Sequence, residues 1–326
     1  MVPIVLTGSV VVIAGILLGH AGEVIARRTA LGSMWTGWLL LAAATSLPEF
    51  VTDVSAVGLN APNLAAGDLF GSSLTNMAFF GLIISALSVC KKRGPFQPTI
   101  LYTVALAILL NILGTIFVLK HSNTGFGHLR PESLTILATY LLGTFMIYKR
   151  AGTVGGQLRV DYPPSAQSKG GTLGRAIVLF SVGAILIFFA APRFAESAKT
   201  LADSTGLGES FIGTALLGFA TALPEFVTSI TAGTLGEFDL AASNLYGSCA
   251  FNMVVFFPMD LASRTPVFST LSPTLAISGF LALALMCLSI PAVLQRSGYR
   301  ILAIHSGVLV AAYGLAVWID YLWRAR

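Results

Sequence analysis

The chain has 326 residues, of which 55% are hydrophobic and only 10% charged, with a formal net charge of +5. Soluble domains carry about 25% charged residues, so this composition argues against a soluble fold and predicts an all-α integral membrane protein. Its basic residues lie between apolar runs rather than in one block, which argues against nucleic-acid binding. The three cysteines (Cys90, Cys249 and Cys287) are far apart and predict neither a disulfide framework nor a metal centre.

Ten apolar runs are long enough to cross a bilayer, for which about 17–25 residues suffice. They lie near 3–26, 34–57, 62–89, 98–119, 131–149, 174–198, 210–235, 239–262, 270–293 and 299–322. The first run lacks a basic leader and a small-residue cleavage pattern, so we predict a spanning helix there and not a signal peptide. Residues 150–173 are polar and rich in Gly, Pro and Ser, which predicts a flexible linker between halves 1–149 and 174–326.

Lysines and arginines are more frequent in the loops after the odd-numbered spans, for example at Arg27, Lys91, Lys149 and Arg296. The positive-inside rule then predicts a cytoplasmic linker and two extracellular termini, most simply in the plasma membrane. Because each predicted half has five spans, the second half is inverted relative to the first. Two inverted five-helix repeats are typical of secondary transporters with a substrate site near the midplane, although a channel can share this plan.

A polar motif occurs twice in the chain. Residues 44–81, ATSLPEFVTDVSAVGLNAPNLAAGDLFGSSLTNMAFFG, return at 220–257 as ATALPEFVTSITAGTLGEFDLAASNLYGSCAFNMVVFF, with 19 of 38 positions identical. Polar residues are among those repeated, as the pairs Thr45/Thr221, Glu49/Glu225, Ser72/Ser248 and Asn76/Asn252. In so apolar a chain, repeated polar residues predict a site.

Glu49 and Glu225 lie within predicted spanning helices. A carboxylate at the centre of such a helix costs about 2.5–3.5 kcal/mol on insertion scales, so it usually faces a cavity or an ion. The alternative is a pair of protonated or hydrogen-bonded acids that only fix helix packing. Pro48 and Pro224 precede the two acids, and in a continuous helix each would free the carbonyl four residues earlier, at Ala44 and Ala220, for a cation.

Helical spacing places further oxygens beside these acids, because residues four apart share a face. The candidate cation ligands are Glu49, Glu225, Asn76, Asn252, Thr45, Ser46, Thr221, Ser72, Ser248 and Asp68. In the second copy Ala222 replaces Ser46 and Asn244 replaces Asp68. This all-oxygen set suits hard cations such as Ca²⁺, although each hydroxyl could instead serve interhelical packing. The glycine pairs Gly32/Gly208, Gly37/Gly213 and Gly71/Gly247 predict close helix packing.

The paired motifs TSLPE…GSSLTN and TALPE…GSCAFN resemble the α-repeats of the sodium/calcium exchanger family, within the cation/calcium antiporters. The resemblance implies that Glu49 and Glu225 bind Ca²⁺ and Na⁺ in competition, helped by the amides and hydroxyls named above. It also implies that spans one and six slide past a rigid core. Some members have Asp at the position of Asn252 and Ser at that of Ala222, which leaves the Na⁺ stoichiometry open; Asp53 and Asp68 could restore negative charge.

The leading functional prediction is an antiporter in the lipid membrane that exchanges Ca²⁺ for Na⁺. Its partners would be the transported ions, and no cofactor is expected. Ca²⁺/H⁺ exchange is the main alternative, followed by a passive cation channel, and the use of K⁺, the oligomeric state and the transport direction stay open. An enzyme is not expected, because the four histidines are scattered without an HExxH pattern and no glycine stretch carries a phosphate-loop lysine. No sizeable regulatory domain is expected either.

Overall fold

The computed structural model describes residues 2–28, 44–89, 96, 100–121, 130–153, 172–236, 238–294 and 299–323, and within these ranges the secondary structure is helical, with no strand. The first half contains α1 (Val2–Arg28), α2 (Leu47–Gly58), α3 (Pro62–Val89), α4 (Ile100–Lys120) and α5 (Pro131–Thr153). The all-α prediction is therefore confirmed for the described part of the chain.

The second half begins with the long helix α6 (Leu173–Thr205). A broken helical segment follows, made of α7 (Glu209–Ile212), a π-helical turn (Gly213–Leu217), α8 (Gly218–Thr221) and α9 (Leu223–Thr234). The remaining helices are α10 (Phe238–Val254), α11 (Phe256–Ala262), α12 (Val267–Thr270), α13 (Leu275–Leu294) and α14 (Tyr299–Trp323).

Eight helical segments in the described ranges are long and apolar enough to cross a membrane. They are Val2–Ile25, Pro62–Ala86, Ile100–Lys120, Leu173–Thr205, Glu209–Thr234, Phe238–Ala262, Leu275–Leu294 and Ile304–Trp323. The predicted span 131–149 is helical, as α5, but is not among the eight, and residues 34–43 of the predicted span 34–57 lie outside the described residues. Most of the predicted linker, residues 154–171, lies outside them too.

Two helices form the centre of the molecule. In the apolar stretch of each span, 83% of the residues are buried in α3 and 72% in Phe238–Ala262, which contains α10. The same share is only 22% in α6. Helix α3 packs against the π turn, α13 and α14, whereas α10 packs against α4 and α9. Helices α1 and α6 lie along each other at the edge, and α6 exposes apolar side chains such as Phe188 and Phe189. Such an exposed apolar surface suits contact with lipid.

Both copies of the motif break the helix at the same place. Helices α2 and α9 are each 12 residues long and begin at Leu47 and Leu223, with Pro48 and Pro224 in their first turn. Proline is favourable there because the first helical N–H groups have no partner within the helix. The prolines therefore start short helices, which differs from the predicted position of each proline inside a continuous spanning helix.

Because each proline lies in the first turn of its helix, the carbonyl four residues before it lies outside that helix. The N–H of Phe226 donates to the carbonyl of Ala222 at 3.2 Å, and that of Phe50 donates to the carbonyl of Ser46 at 3.1 Å. An acceptor role of the Ala44 and Ala220 carbonyls toward a cation stays a prediction.

Glycines bring α3 into backbone contact with the π turn and α8. A Cβ added to Gly71 would lie 2.2 Å from the carbonyl oxygen of Thr214, and one added to Gly213 would lie 2.3 Å from that of Leu64. A Cβ at Gly218 would lie 2.5 Å from the carbonyl carbon of Gly71. The predicted packing role is confirmed for Gly71 and Gly213, whereas Gly32 and Gly37 lie outside the described residues.

Candidate cation site

All ten predicted ligands have fully buried side chains. They come from the segment before α2 and from helices α2, α3, α8, α9 and α10, and they are Thr45, Ser46, Glu49, Asp68, Ser72, Asn76, Thr221, Glu225, Ser248 and Asn252. The following contacts show which of them the fold brings together.

Glu225 is the acceptor at the centre of one set of contacts. The Ser46 hydroxyl lies 2.9 Å from Glu225 Oε1 and 3.2 Å from Ser248 Oγ. Ser248 Oγ lies 3.2 Å from the same carboxylate oxygen and accepts from Asn76 Nδ2 at 3.2 Å. One oxygen of Glu225 is therefore held by hydroxyls from both motif copies, while Oε2 receives no hydrogen bond from a described residue.

Asp68 is the acceptor at the centre of a second set. Thr221 Oγ1 donates to Asp68 Oδ1 at 2.9 Å, and Ser72 Oγ lies 3.2 Å from both that oxygen and Thr221 Oγ1. Asp68 Oδ2 receives no hydrogen bond from a described residue. Thr221 of the second copy thus donates to Asp68 of the first copy, and Ser46 of the first copy donates to Glu225 of the second.

Several buried oxygens in this region lack a donor. Neither carboxylate oxygen of Glu49 is hydrogen-bonded within the described part of the chain, and the same holds for Asn76 Oδ1 and Asn252 Oδ1. Glu49 is close enough to Glu225 and Asp68 to interact with both electrostatically. Leaving a buried charged group without a partner costs more than the 1–3 kcal/mol or so of a neutral one, so these oxygens are suited to a ligand that brings positive charge.

Asp53 also belongs to this region, although it was not among the ten candidates. It is fully buried, both its oxygens lack a donor from a described residue, and its carboxyl lies within hydrogen-bonding reach of that of Asp68. The sequence held one signal for it, because Asp53 is four residues after Glu49 and so shares its face of α2.

Helix α1 covers the two motif copies through glycines that the sequence analysis did not select. A Cβ at Gly15 would lie 2.4 Å from Cγ of Pro224 and 3.1 Å from Cγ of Pro48, and one at Gly19 would lie 3.1 Å from Cγ2 of Thr45. Only residues without a side chain let α1 approach both breaks this closely.

The carboxylates of this region are mixed with neutral oxygens. Among the described residues, no three His, Cys, Asp or Glu side chains converge as in a dedicated metal centre. Hard cations nevertheless accept carboxylate, amide and hydroxyl oxygens together. Chemically, the arrangement can supply a mixed oxygen set, which suits reversible binding better than a permanent structural ion.

Comparison with known proteins identifies the family. The family model described as "Sodium/calcium exchanger protein" matches residues 2–149 and again residues 175–322. The chain belongs to the sodium/calcium exchanger family. Its members are transporters and not enzymes, so the predicted resemblance and the predicted absence of enzyme function are confirmed.

Two relatives match most of the chain. It is 27% identical over 241 residues to "Putative antiporter CaxA" of Alkalimonas amylolytica, covering 72% of each protein. Over 242 residues it is 24% identical to "Inner membrane protein YrbG" of Escherichia coli, covering 73% of this chain and 72% of that protein. These matches support an exchanger of the membrane and leave its coupling ion open.

Solved structures show the same fold. The H⁺/Ca²⁺ exchanger CAX aligns with a TM-score of 0.69 and 15% identity, covering 98% of this chain and 87% of the other. The sodium-calcium exchanger NCX_Mj aligns with a TM-score of 0.62 and 19% identity, covering 97% of both chains. At such low identity the likeness concerns the fold, and exchangers of both kinds share it.

Proposed function

We propose that this family member is a secondary antiporter that exchanges Ca²⁺ for Na⁺. The observation that carries the proposal is the meeting of the two motif copies, where Ser46 contacts Glu225 and Thr221 contacts Asp68 while carboxylate oxygens stay open. Ions that bind the same oxygens in turn would couple the two fluxes, provided that the transporter changes its accessible side only when loaded.

The proposed ligands supply charge and coordination suited to Ca²⁺. The cation takes about 6–8 oxygens, and the carboxylates of Glu49 and Glu225 together neutralise its charge. Amide oxygens would come from Asn76 and Asn252. Hydroxyl oxygens would complete the set, from Thr45, Ser46, Ser72, Thr221 and Ser248. Sodium would use a subset of these oxygens and so compete with Ca²⁺.

The proposed architecture has ten spans in two inverted halves, with the cation site between them and α1 and α6 moving past the core. Separate family matches to 2–149 and 175–322, and the equal 12-residue helices α2 and α9, support the duplication. The distribution of basic residues supports a cytoplasmic linker and extracellular termini in a plasma membrane. Cysteine accessibility at each terminus, measured from both sides of the membrane, tests the orientation.

The function is tested with ⁴⁵Ca²⁺ uptake into proteoliposomes that hold the purified protein. Uptake should require an outward Na⁺ gradient, and Glu49→Gln and Glu225→Gln should each abolish it because each removes half of the charge that neutralises Ca²⁺. Asp320→Asn is the control, since Asp320 is a buried carboxylate on α14 that accepts from Ser278 at 2.7 Å. Wild-type uptake by either glutamine variant would refute the assignment.

Ca²⁺/H⁺ exchange is the second candidate, and the additional buried carboxylates Asp53 and Asp68 favour it because they could accept protons. In that case a pH gradient without sodium would drive uptake in the same vesicles. A passive channel would instead give flux with neither gradient. Imposing Na⁺, K⁺ and H⁺ gradients separately distinguishes these functions.

A further inference from the structure

The first motif copy carries two acids that the second copy replaces with neutral side chains. Asp53 and Asp68 correspond, 176 residues later, to Ser229 and Asn244. In the second copy this pair is satisfied, since Asn244 Nδ2 lies 3.0 Å from Ser229 Oγ and 3.3 Å from the carbonyl of Glu225. The same two positions therefore face each other in both copies, but only the first copy makes them acidic.

The acidic pair is buried and short of donors. Asp53 and Asp68 are fully buried, and their carboxyls lie within hydrogen-bonding reach of each other. Within the described ranges, both oxygens of Asp53 and Oδ2 of Asp68 lack a donor, and neither acid forms an ion pair with a basic side chain. Three buried carboxylate oxygens of this pair therefore stay open to a ligand.

Two carboxylates held this close repel each other strongly where water is excluded. The second copy avoids this repulsion with an amide and a hydroxyl, so duplication alone did not require the acids. A hard cation between Asp53 and Asp68 would cancel the repulsion and fill the three open oxygens. Thr221 and Ser72 contact only the other oxygen of Asp68, Oδ1, and so leave Oδ2 available.

We propose that Asp53 and Asp68 bind a second hard cation, separate from the ion held between Glu49 and Glu225. This inference rests on the proposed function, because it adds an ion to the same transport region.

The test counts bound cations on the purified full-length protein, with ²²Na⁺ and ⁴⁵Ca²⁺ as separate probes. The variants Asp53→Ser and Asp68→Asn give the first copy the residues of the second, so each position has its own natural replacement. Combining the two should lower the number of bound cations by about one per chain and leave the rest bound. The probe whose count falls shows whether the subsite takes Na⁺ or Ca²⁺.

Two further variants keep the result interpretable. Asp53→Asn preserves the shape of the side chain and replaces Asp53→Ser if that variant does not fold. Asp320→Asn removes a buried carboxylate elsewhere and should leave the count unchanged. An unchanged count in the double variant, with lower thermal stability as the only effect, would overturn the proposal, and so would the loss of every bound cation.

The transport assay separates this inference from the proposed function. A wild-type protein that binds cations but does not exchange Ca²⁺ in proteoliposomes would refute the function and leave the count as an independent result. Wild-type exchange together with an identical count in the double variant would refute the second subsite alone.

Discussion

Replacing Gly71 with alanine is expected to force α3 away from the π turn and so disturb the cation site. The new Cβ would lie 2.2 Å from the carbonyl oxygen of Thr214, 2.6 Å from its Cα and 2.7 Å from its carbonyl carbon. All three atoms belong to the backbone, so no side-chain rotation can relieve the contact. The two segments must separate.

The size of the effect follows from these distances. Non-bonded heavy atoms prefer about 3.5–4.0 Å, so the contact with Thr214 requires a separation of about 1 Å or more. Overpacking typically costs about 1–3 kcal/mol, occasionally more, and we expect about 3 kcal/mol because only backbone movement can relieve the contact. The gain of about 0.5–1 kcal/mol from replacing a helical glycine by alanine does not offset this cost.

The displacement should also reduce transport. Gly71 directly precedes Ser72, whose hydroxyl lies 3.2 Å from both Asp68 Oδ1 and Thr221 Oγ1. Moving α3 by about 1 Å relative to α8 would stretch the contacts of Thr221 Oγ1 with Asp68 Oδ1 and Ser72 Oγ, now 2.9 and 3.2 Å, beyond hydrogen-bonding distance. We therefore expect both a lower unfolding temperature and a lower rate of Ca²⁺ uptake.

Thermal unfolding in detergent and ⁴⁵Ca²⁺ uptake in proteoliposomes measure the two effects. Gly307→Ala and Gly314→Ala are matched controls, because both glycines lie in α14 and an added Cβ would meet no atom within 4 Å. These controls should unfold at or above the wild-type temperature. A Gly71→Ala protein with wild-type stability and uptake would refute the close backbone packing on which the reasoning depends.

Three further predictions concern the site. Ser46→Ala removes the hydroxyl that lies 2.9 Å from Glu225 Oε1. Because hydrogen bonds to charged groups contribute about 1.5–3 kcal/mol, the Ca²⁺ concentration for half-maximal uptake should rise about tenfold. An unchanged concentration would contradict this role of Ser46. Gly15→Ala would place a Cβ 2.4 Å from Cγ of Pro224, so the initial rate of uptake should fall, whereas a wild-type rate would show that α1 has more room. Ca²⁺ at about 100 times its Kd should stabilise the fold by about 2.7 kcal/mol, raising the unfolding temperature of wild type but not of Glu49→Gln.

The sequence by itself determined the class of protein, the duplication and most of the candidate site. A chain with 10% charged residues cannot cover a soluble surface, and polar residues repeated at a fixed offset select the candidate ligands whatever the angle between helices. Local rules placed both prolines inside continuous spanning helices. They did not show that Pro48 and Pro224 would begin short helices, because that depends on the turn that precedes each proline.

Only the tertiary structure decided which oxygens meet. The contacts that join the motif copies span 149–202 residues of sequence, as in Ser72–Thr221 and Ser46–Ser248, and helical spacing carries no information at that range. Helices α3 and α10 are buried on nearly every side, so their apolar pattern does not mark an inward face. The approach of Asp53 to Asp68 follows from how α2 packs on α3, a contact between different helices that periodicity within either one cannot fix.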